Sequence, residues 1–107
     1  MHEGASDPYF DVTVDVTANP ASIAASGELD AASSVQLKQA IDDALESGAG
    51  VTLDLGQVTF IDSSALRVVT LGVRNARDLD QPFTVVEASD AVRRIFEITG
   101  VGSLLAP

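Results

Sequence analysis

The side chains best placed to do chemistry stand together at Asp62-Ser63-Ser64, where one carboxylate and two hydroxyls occupy three consecutive positions. A serine hydroxyl can act as a nucleophile, as a phosphoryl acceptor or as a helix cap. Nucleophilic attack needs a base to take the proton. The only histidine is His2, at the extreme N-terminus, and there is no cysteine. Thiol catalysis and a zinc-thiolate site are therefore excluded, and the position of His2 disfavours a Ser-His hydrolytic arrangement. Two roles stay open for the serines. They can cap a helix start, where unpaired first-turn N–H groups seek an oxygen. They can also accept a phosphoryl group at a position that tolerates an anion. The two roles are compatible, because one serine can cap while the other faces solvent.

The elements that must position this triplet are legible on both sides of it. Val51, Leu53 and Leu55 alternate as in a strand, and Gly56-Gln57 breaks the run. Val58, Phe60 and Ile61 then lead into Asp62. Beyond Ser64 the apolar spacing changes to Leu66, Val69, Thr70 and Val73, the one-face pattern of a helix, which extends to about Asp78. Upstream, Phe10, Val12, Val14 and Val16 alternate with polar residues in a half-buried strand. Asn19-Pro20 is a turn, and Ala21 to Ser26 forms a second strand of an antiparallel hairpin. Gly27-Glu28-Leu29-Asp30 precedes a helix over Ser33 to Ser47, with Leu37, Ala40, Ile41, Ala44 and Leu45 as its apolar stripe and Gly48 as its stop. Asp30 reads as a helix-entry residue or as an acidic group near a functional turn. A strand from Phe83 to Glu87, with Phe83, Val85 and Val86 buried, follows the turn Asp80-Gln81-Pro82. Ser89-Asp90 opens a last helix, Ala91 to Thr99, whose inner face is Val92, Ile95, Phe96 and Thr99, and Gly100 closes it.

This order predicts an α/β domain with a mixed, mostly parallel sheet, an N-terminal hairpin and crossover helices. The 107 residues fit one domain over 9–107, after a flexible polar leader over 1–8. The formal net charge is −10, from 16 acidic and 6 basic residues. Such a charge disfavours direct contact with nucleic acid and with anionic membrane surfaces. No apolar run reaches the roughly 20 residues of a membrane span. The N-terminus lacks the layout of a secretion signal. A cytoplasmic location is the expectation. No glycine-rich phosphate loop is present, and Asp42-Asp43 lacks a third ligand, so neither a cofactor nor a metal is expected. Arg67, Arg74 and Arg77 place half of all basic residues on the central helix.

Two segments carry a resemblance. Gly27-Glu28-Leu29-Asp30-Ala31-Ala32, followed by a helix, and Leu53 to Leu66, LDLGQVTFIDSSAL, closely resemble the STAS domain family, and within it the bacterial anti-sigma-factor antagonists. Val92 to Gly100, VRRIFEITG, matches the family's third-helix pattern. The resemblance implies a single STAS-type domain that acts as a switch and not as an enzyme. It implies binding to an anti-sigma factor that is also a serine protein kinase, release of a sigma factor, and reversal when the kinase phosphorylates a serine. A phosphatase would restore binding. Carried onto this sequence, Ser64 is the expected acceptor, Asp62 and Ser63 shape the turn, and Asp30 lies on the same recognition face. The family's usual Gly-Leu-Gly after the two serines is Ala65-Leu66-Arg67 here. Ala65 favours the helix, and Arg67 sets a cation in the first turn, where it would stabilise a phosphate or select a different kinase. Ala65 and Arg67 complete the expected partner-binding set. The same fold also serves as an interaction subunit of stress-signalling or lipid-transport assemblies, which is the alternative reading.

Overall fold

Alternating apolar residues build a sheet here because every second side chain reaches one buried face. The computed structural model describes residues 9–104. Its strands are β1 (Phe10–Asp15), β2 (Ala21–Leu29), β3 (Val51–Ile61) and β4 (Phe83–Ala88). Its helices are α1 (Ala31–Glu46), α2 (Ser63–Asp78) and α3 (Asp90–Ile98), followed by a short 3-10 turn at Gly102–Leu104. The strands lie in the order β1-β2-β3-β4. β1 runs antiparallel to β2, and β2, β3 and β4 run parallel. This is the mixed, mostly parallel α/β domain with a leading hairpin that the element order predicts. The leader expected at 1–8 and the end of the tail, 105–107, lie outside the described residues.

Both helical crossovers step the same way across the sheet, from β2 to β3 and from β3 to β4. Right-handed connections then set α1 and α2 on the same face, where they pack on each other. Gly72 marks their contact. A Cβ there would lie 3.0 Å from Ile41 Cγ2 and 3.2 Å from Phe83 Cε2, so glycine permits the close approach. One core joins the sheet to all three helices, with Ile23, Leu29, Leu37, Ile41, Leu53, Leu55, Val69, Val92 and Phe96 buried. Phe96 has no exposed surface. Truncating it to alanine costs about 3–5 kcal/mol in a core that cannot collapse onto the gap.

Several local expectations change. β3 does not break at Gly56-Gln57 but runs on to Ile61, because bulges absorb the irregularity. Its pairing with β2 passes from Ala24↔Asp54 to Ser26↔Gln57, then from Gly27↔Val58 to Glu28↔Phe60, one extra residue of β3 each time. Asp54 Oδ1 accepts the Gly56 N–H at 2.9 Å and steadies the first bulge. The extra residues shift the inward phase, so Val58 and Ile61 are buried and Phe60 is half exposed. β2 continues past Ser26 through Gly27, whose φ is +94°. A Cβ on Gly27 would fall 2.0 Å from the Tyr9 carbonyl oxygen, so only glycine fits beside β1. Val86, expected inside, is exposed, since only Val85 of the β4 pair can face the core. Val14 and Val16 are also exposed, on an edge strand that ends at Asp15. Thr99 is the exposed C-cap of α3, not part of its inner face, and its hydroxyl donates to the Ile95 carbonyl at 2.6 Å.

Candidate functional site

The site grows from two strand ends. Leu29, the last residue of β2, pairs in parallel register with Ile61, the last residue of β3. The Asp62 N–H extends that ladder by donating to the Leu29 carbonyl at 3.1 Å. Adjacent strands run about 4.8 Å apart, so the residues that follow, Asp30 and Asp62, emerge side by side. Each caps the helix that it enters. Their backbones are nearly superimposable, with φ −112° and ψ −169° at Asp30 and φ −112° and ψ −178° at Asp62. The proximity expected of these two carboxylates follows from register, which no local pattern encodes.

At Asp62 the cap is simple. Oδ1 accepts the Ala65 N–H at 3.1 Å, and the main-chain carbonyl accepts Leu66 N–H at 3.1 Å. The capping oxygen thus comes from the aspartate, and neither serine hydroxyl is spent on it. Ser63 and Ser64 are the first two residues of α2, and both are exposed. Among the described residues, neither hydroxyl has a hydrogen-bond partner, and nothing in the fold accepts the Ser63 or Ser64 N–H. Two open hydroxyls and two open N–H groups therefore face solvent at the positive end of a helix of 16 residues.

At Asp30 the cap is a closed network. Oδ1 accepts the Ser33 N–H at 3.0 Å, and Asp30 N–H donates to Ser33 Oγ at 2.9 Å. The Ser33 hydroxyl lies within donating reach of both the Glu28 carbonyl, at 2.8 Å, and Asp30 Oδ1, at 3.0 Å. This is a reciprocal capping box. The Ser33 N–H, and next the Ser33 hydroxyl, hold the Asp30 carboxyl below its ordinary value by favouring the charged form. Ser33 and Ser34 are both buried, and Ser34 Oγ donates to the Ala31 carbonyl at 2.8 Å. In the sequence these two serines read only as the start of a helix, with no role of their own. The spacing Asp30-Ala31-Ala32-Ser33 is the signal that would have found the box.

The remaining expected site residues separate. Ala65 has no exposed surface and faces the core, so its side chain is withdrawn from any partner; it serves the turn through its N–H alone. Arg67 is exposed, one helical turn beyond Ser63 and Ser64. Asp30, Asp62, Ser63 and Ser64 share one end of the sheet. Among the described residues there is no cluster of His, Cys, Asp or Glu able to hold a metal ion.

Comparison with known proteins places this geometry. A family model described as "Mlab, STAS domain" matches residues 12–106. An anti-sigma-B factor antagonist of Listeria monocytogenes is 29% identical over 80 residues, covering 74% of this chain and 70% of that protein. The crystal structure of an anti-sigma factor antagonist from Mycobacterium paratuberculosis superposes with a TM-score of 0.82 at 25% identity, over 95% of this chain and 90% of the other. The anti-sigma factor antagonist SpoIIAA in its unphosphorylated form shares the fold, with a TM-score of 0.77 at 22% identity over 90% and 86% of the two chains. No helix among the described residues is long and apolar enough to cross a membrane. The chain belongs to the STAS domain family.

Proposed function

We propose that the protein is an anti-sigma-factor antagonist: a binding switch, not a catalyst, that engages an anti-sigma factor with serine kinase activity and so frees a sigma factor. Asp30, Asp62, Ser63 and Ser64 form the contact, with Arg67 at its margin. Phosphorylation of Ser64 ends the binding, and a phosphatase restores it. The observation that carries the reading is the division of labour in the Asp62 turn. Asp62 supplies the cap, which leaves the Ser64 hydroxyl exposed and unpartnered.

A phosphoryl group adds about −1.5 to −2 charges near neutral pH. The open N–H groups and the partial positive charge of the α2 start accept that charge locally. The cap survives, because the Ala65 N–H is already held by Asp62. The fold therefore stays intact. The Asp30 and Asp62 carboxylates make the recognition face strongly anionic once Ser64 carries phosphate. A partner fitted to a neutral hydroxyl then meets a bulky dianion. A misplaced charge at an interface costs a few kcal/mol, and each 1.4 kcal/mol is about tenfold in affinity.

The test is direct. The protein is incubated with its cognate anti-sigma kinase and ATP, and the modified residue is mapped by mass spectrometry. Labelling at Ser64, absent in Ser64→Ala, is the expected result. A Ser64→Ala protein labelled as well as the parent overturns the reading.

A further inference from the structure

Three of the chain's six Lys and Arg residues, Arg67, Arg74 and Arg77, lie on α2. With Thr70 they stand at i, i+3, i+7 and i+10, which confines them to an arc of about 80° and spreads them over roughly 15 Å of helix. All three arginines are exposed, and none meets a carboxylate among the described residues. The only ion pair among the described residues joins Lys38 to Asp42 on α1 at 2.8 Å. Arg74 even leaves Asp78, four residues on, unpaired. In a chain with 16 acidic residues, this stripe is a line of cations that no described carboxylate pairs.

The C-terminal part of the stripe, Thr70, Arg74 and Arg77, is also the wall of a cleft. The opposite wall is the segment that follows α3, and the lining includes Thr70, Val73, Arg74, Arg77, Val101 and Ser103. Val73 and Val101 are half-buried and form an apolar floor. The far wall is fixed by the Val101 N–H, which donates to the Phe96 carbonyl at 2.9 Å. Guanidinium forks, an apolar floor and two hydroxyls thus border one groove.

We propose that this cleft docks an acidic segment of a protein partner, with carboxylates on Arg74 and Arg77 and an apolar side chain over Val73 and Val101. Planar guanidinium groups match carboxylates through paired N–H donors. The match in number favours a peptide over a polyanion. A duplex brings about one negative charge per 1.7 Å against a molecule of net charge −10. A short acidic segment brings two carboxylates, which Arg74 and Arg77 answer. The cleft lies along the flank of α2, so its use does not depend on the hydroxyl at Ser64.

Fluorescence anisotropy with a labelled peptide of alternating glutamate and leucine tests the proposal, alongside its glutamine-leucine counterpart. The parent should bind the acidic peptide, more weakly as salt is raised, and should not bind the amide peptide. R74E/R77E should lose at least about tenfold in affinity, and R74Q/R77Q a smaller factor in the same direction. K38E, on α1, should bind as the parent does. These positions are exposed, and an unchanged circular-dichroism melt shows that the variants fold. The proposal is overturned if R74E/R77E keeps the parent affinity, or if the amide peptide binds equally well. It is also overturned if a single-stranded oligonucleotide displaces the labelled peptide at lower concentration than unlabelled acidic peptide does, which would mark the cleft as a nucleic-acid site.

Discussion

The two helix starts at the end of the sheet use the same cap and reach opposite ends. Asp30 and Asp62 share their backbone geometry, and each accepts an N–H from the third helical residue. After Asp30, the hydroxyl stands at that third position, as Ser33, where the helix turns it back toward the cap and the core. After Asp62, the hydroxyls stand at the first and second positions, as Ser63 and Ser64, where they point away from it. A shift of one or two residues decides whether a serine is structural or available. The chain carries a sealed copy and an open copy of the same turn, side by side on neighbouring strands.

The largest expected effect comes from placing a charge in each copy. Ser33→Asp buries a carboxylate beside that of Asp30, in a site with no exposed surface, and removes the hydroxyl that the box needs. It should lower stability by about 3 kcal/mol or more. Ser64→Asp adds its charge in solvent at a positive helix end and should stay within about 0.5 kcal/mol of the parent. Urea denaturation of the two variants separates them. Equal losses would erase the distinction between sealed and open turns.

Removing the caps should give a smaller gap in the same direction. Asp62→Ala loses one N–H acceptor, at about 1 kcal/mol. Asp30→Ala leaves the Ser33 N–H without its acceptor and unbalances the box, so its urea midpoint should fall further than that of Asp62→Ala. Reversed midpoints would show that the closed network adds nothing beyond the cap.

Acid sharpens the comparison further. The Asp30 carboxyl is held below its ordinary value, chiefly by the Ser33 N–H and then by the Ser33 hydroxyl. A depressed carboxyl contributes stability that is complete above its unfolded value of about 3.9. That contribution is lost as pH falls through the lower folded value. The stability difference between the parent and Asp30→Asn, followed by urea titration, should be flat near neutral pH and shrink only in this acid window. A difference that collapses near pH 6 would assign the linkage to another group.

Much of this was legible in the chain. The apolar stripe of α1 and the alternation at Val51, Leu53 and Leu55 place their elements because each pattern is local. So does the Asp62-Ser63-Ser64 start, although which oxygen caps is settled only by geometry. The nearness of Asp30 and Asp62, implied by the family resemblance, was not legible in any local pattern, because parallel register joins residues 32 positions apart and depends on two bulges in β3. The continuity of β3 across Gly56-Gln57 was hidden for the same reason: a glycine in a bulge and a glycine in a break look alike in sequence. Val86 was misplaced because its neighbour Val85 is equally apolar, and only pairing decides which one faces inward. Arg67, Arg74 and Arg77 were visible as a cluster, but their lack of ion pairs among the described residues required the side chains.

The smallest effect is the most diagnostic. Ser63→Ala and Ser64→Ala remove hydroxyls without partners from exposed positions, and alanine is the better helix former. Each variant should match the parent within about 0.5 kcal/mol, or exceed it slightly. Ser33→Ala strips a buried hydroxyl that bridges the Asp30 N–H and the Glu28 carbonyl. Leaving those groups unpaired should cost about 1–3 kcal/mol. Thermal melts of the three single variants read the contrast. If Ser64→Ala melted as low as Ser33→Ala, the Ser64 oxygen would be part of the scaffold. A kinase could then not take it without unfolding the turn, and the open copy would be a second sealed one.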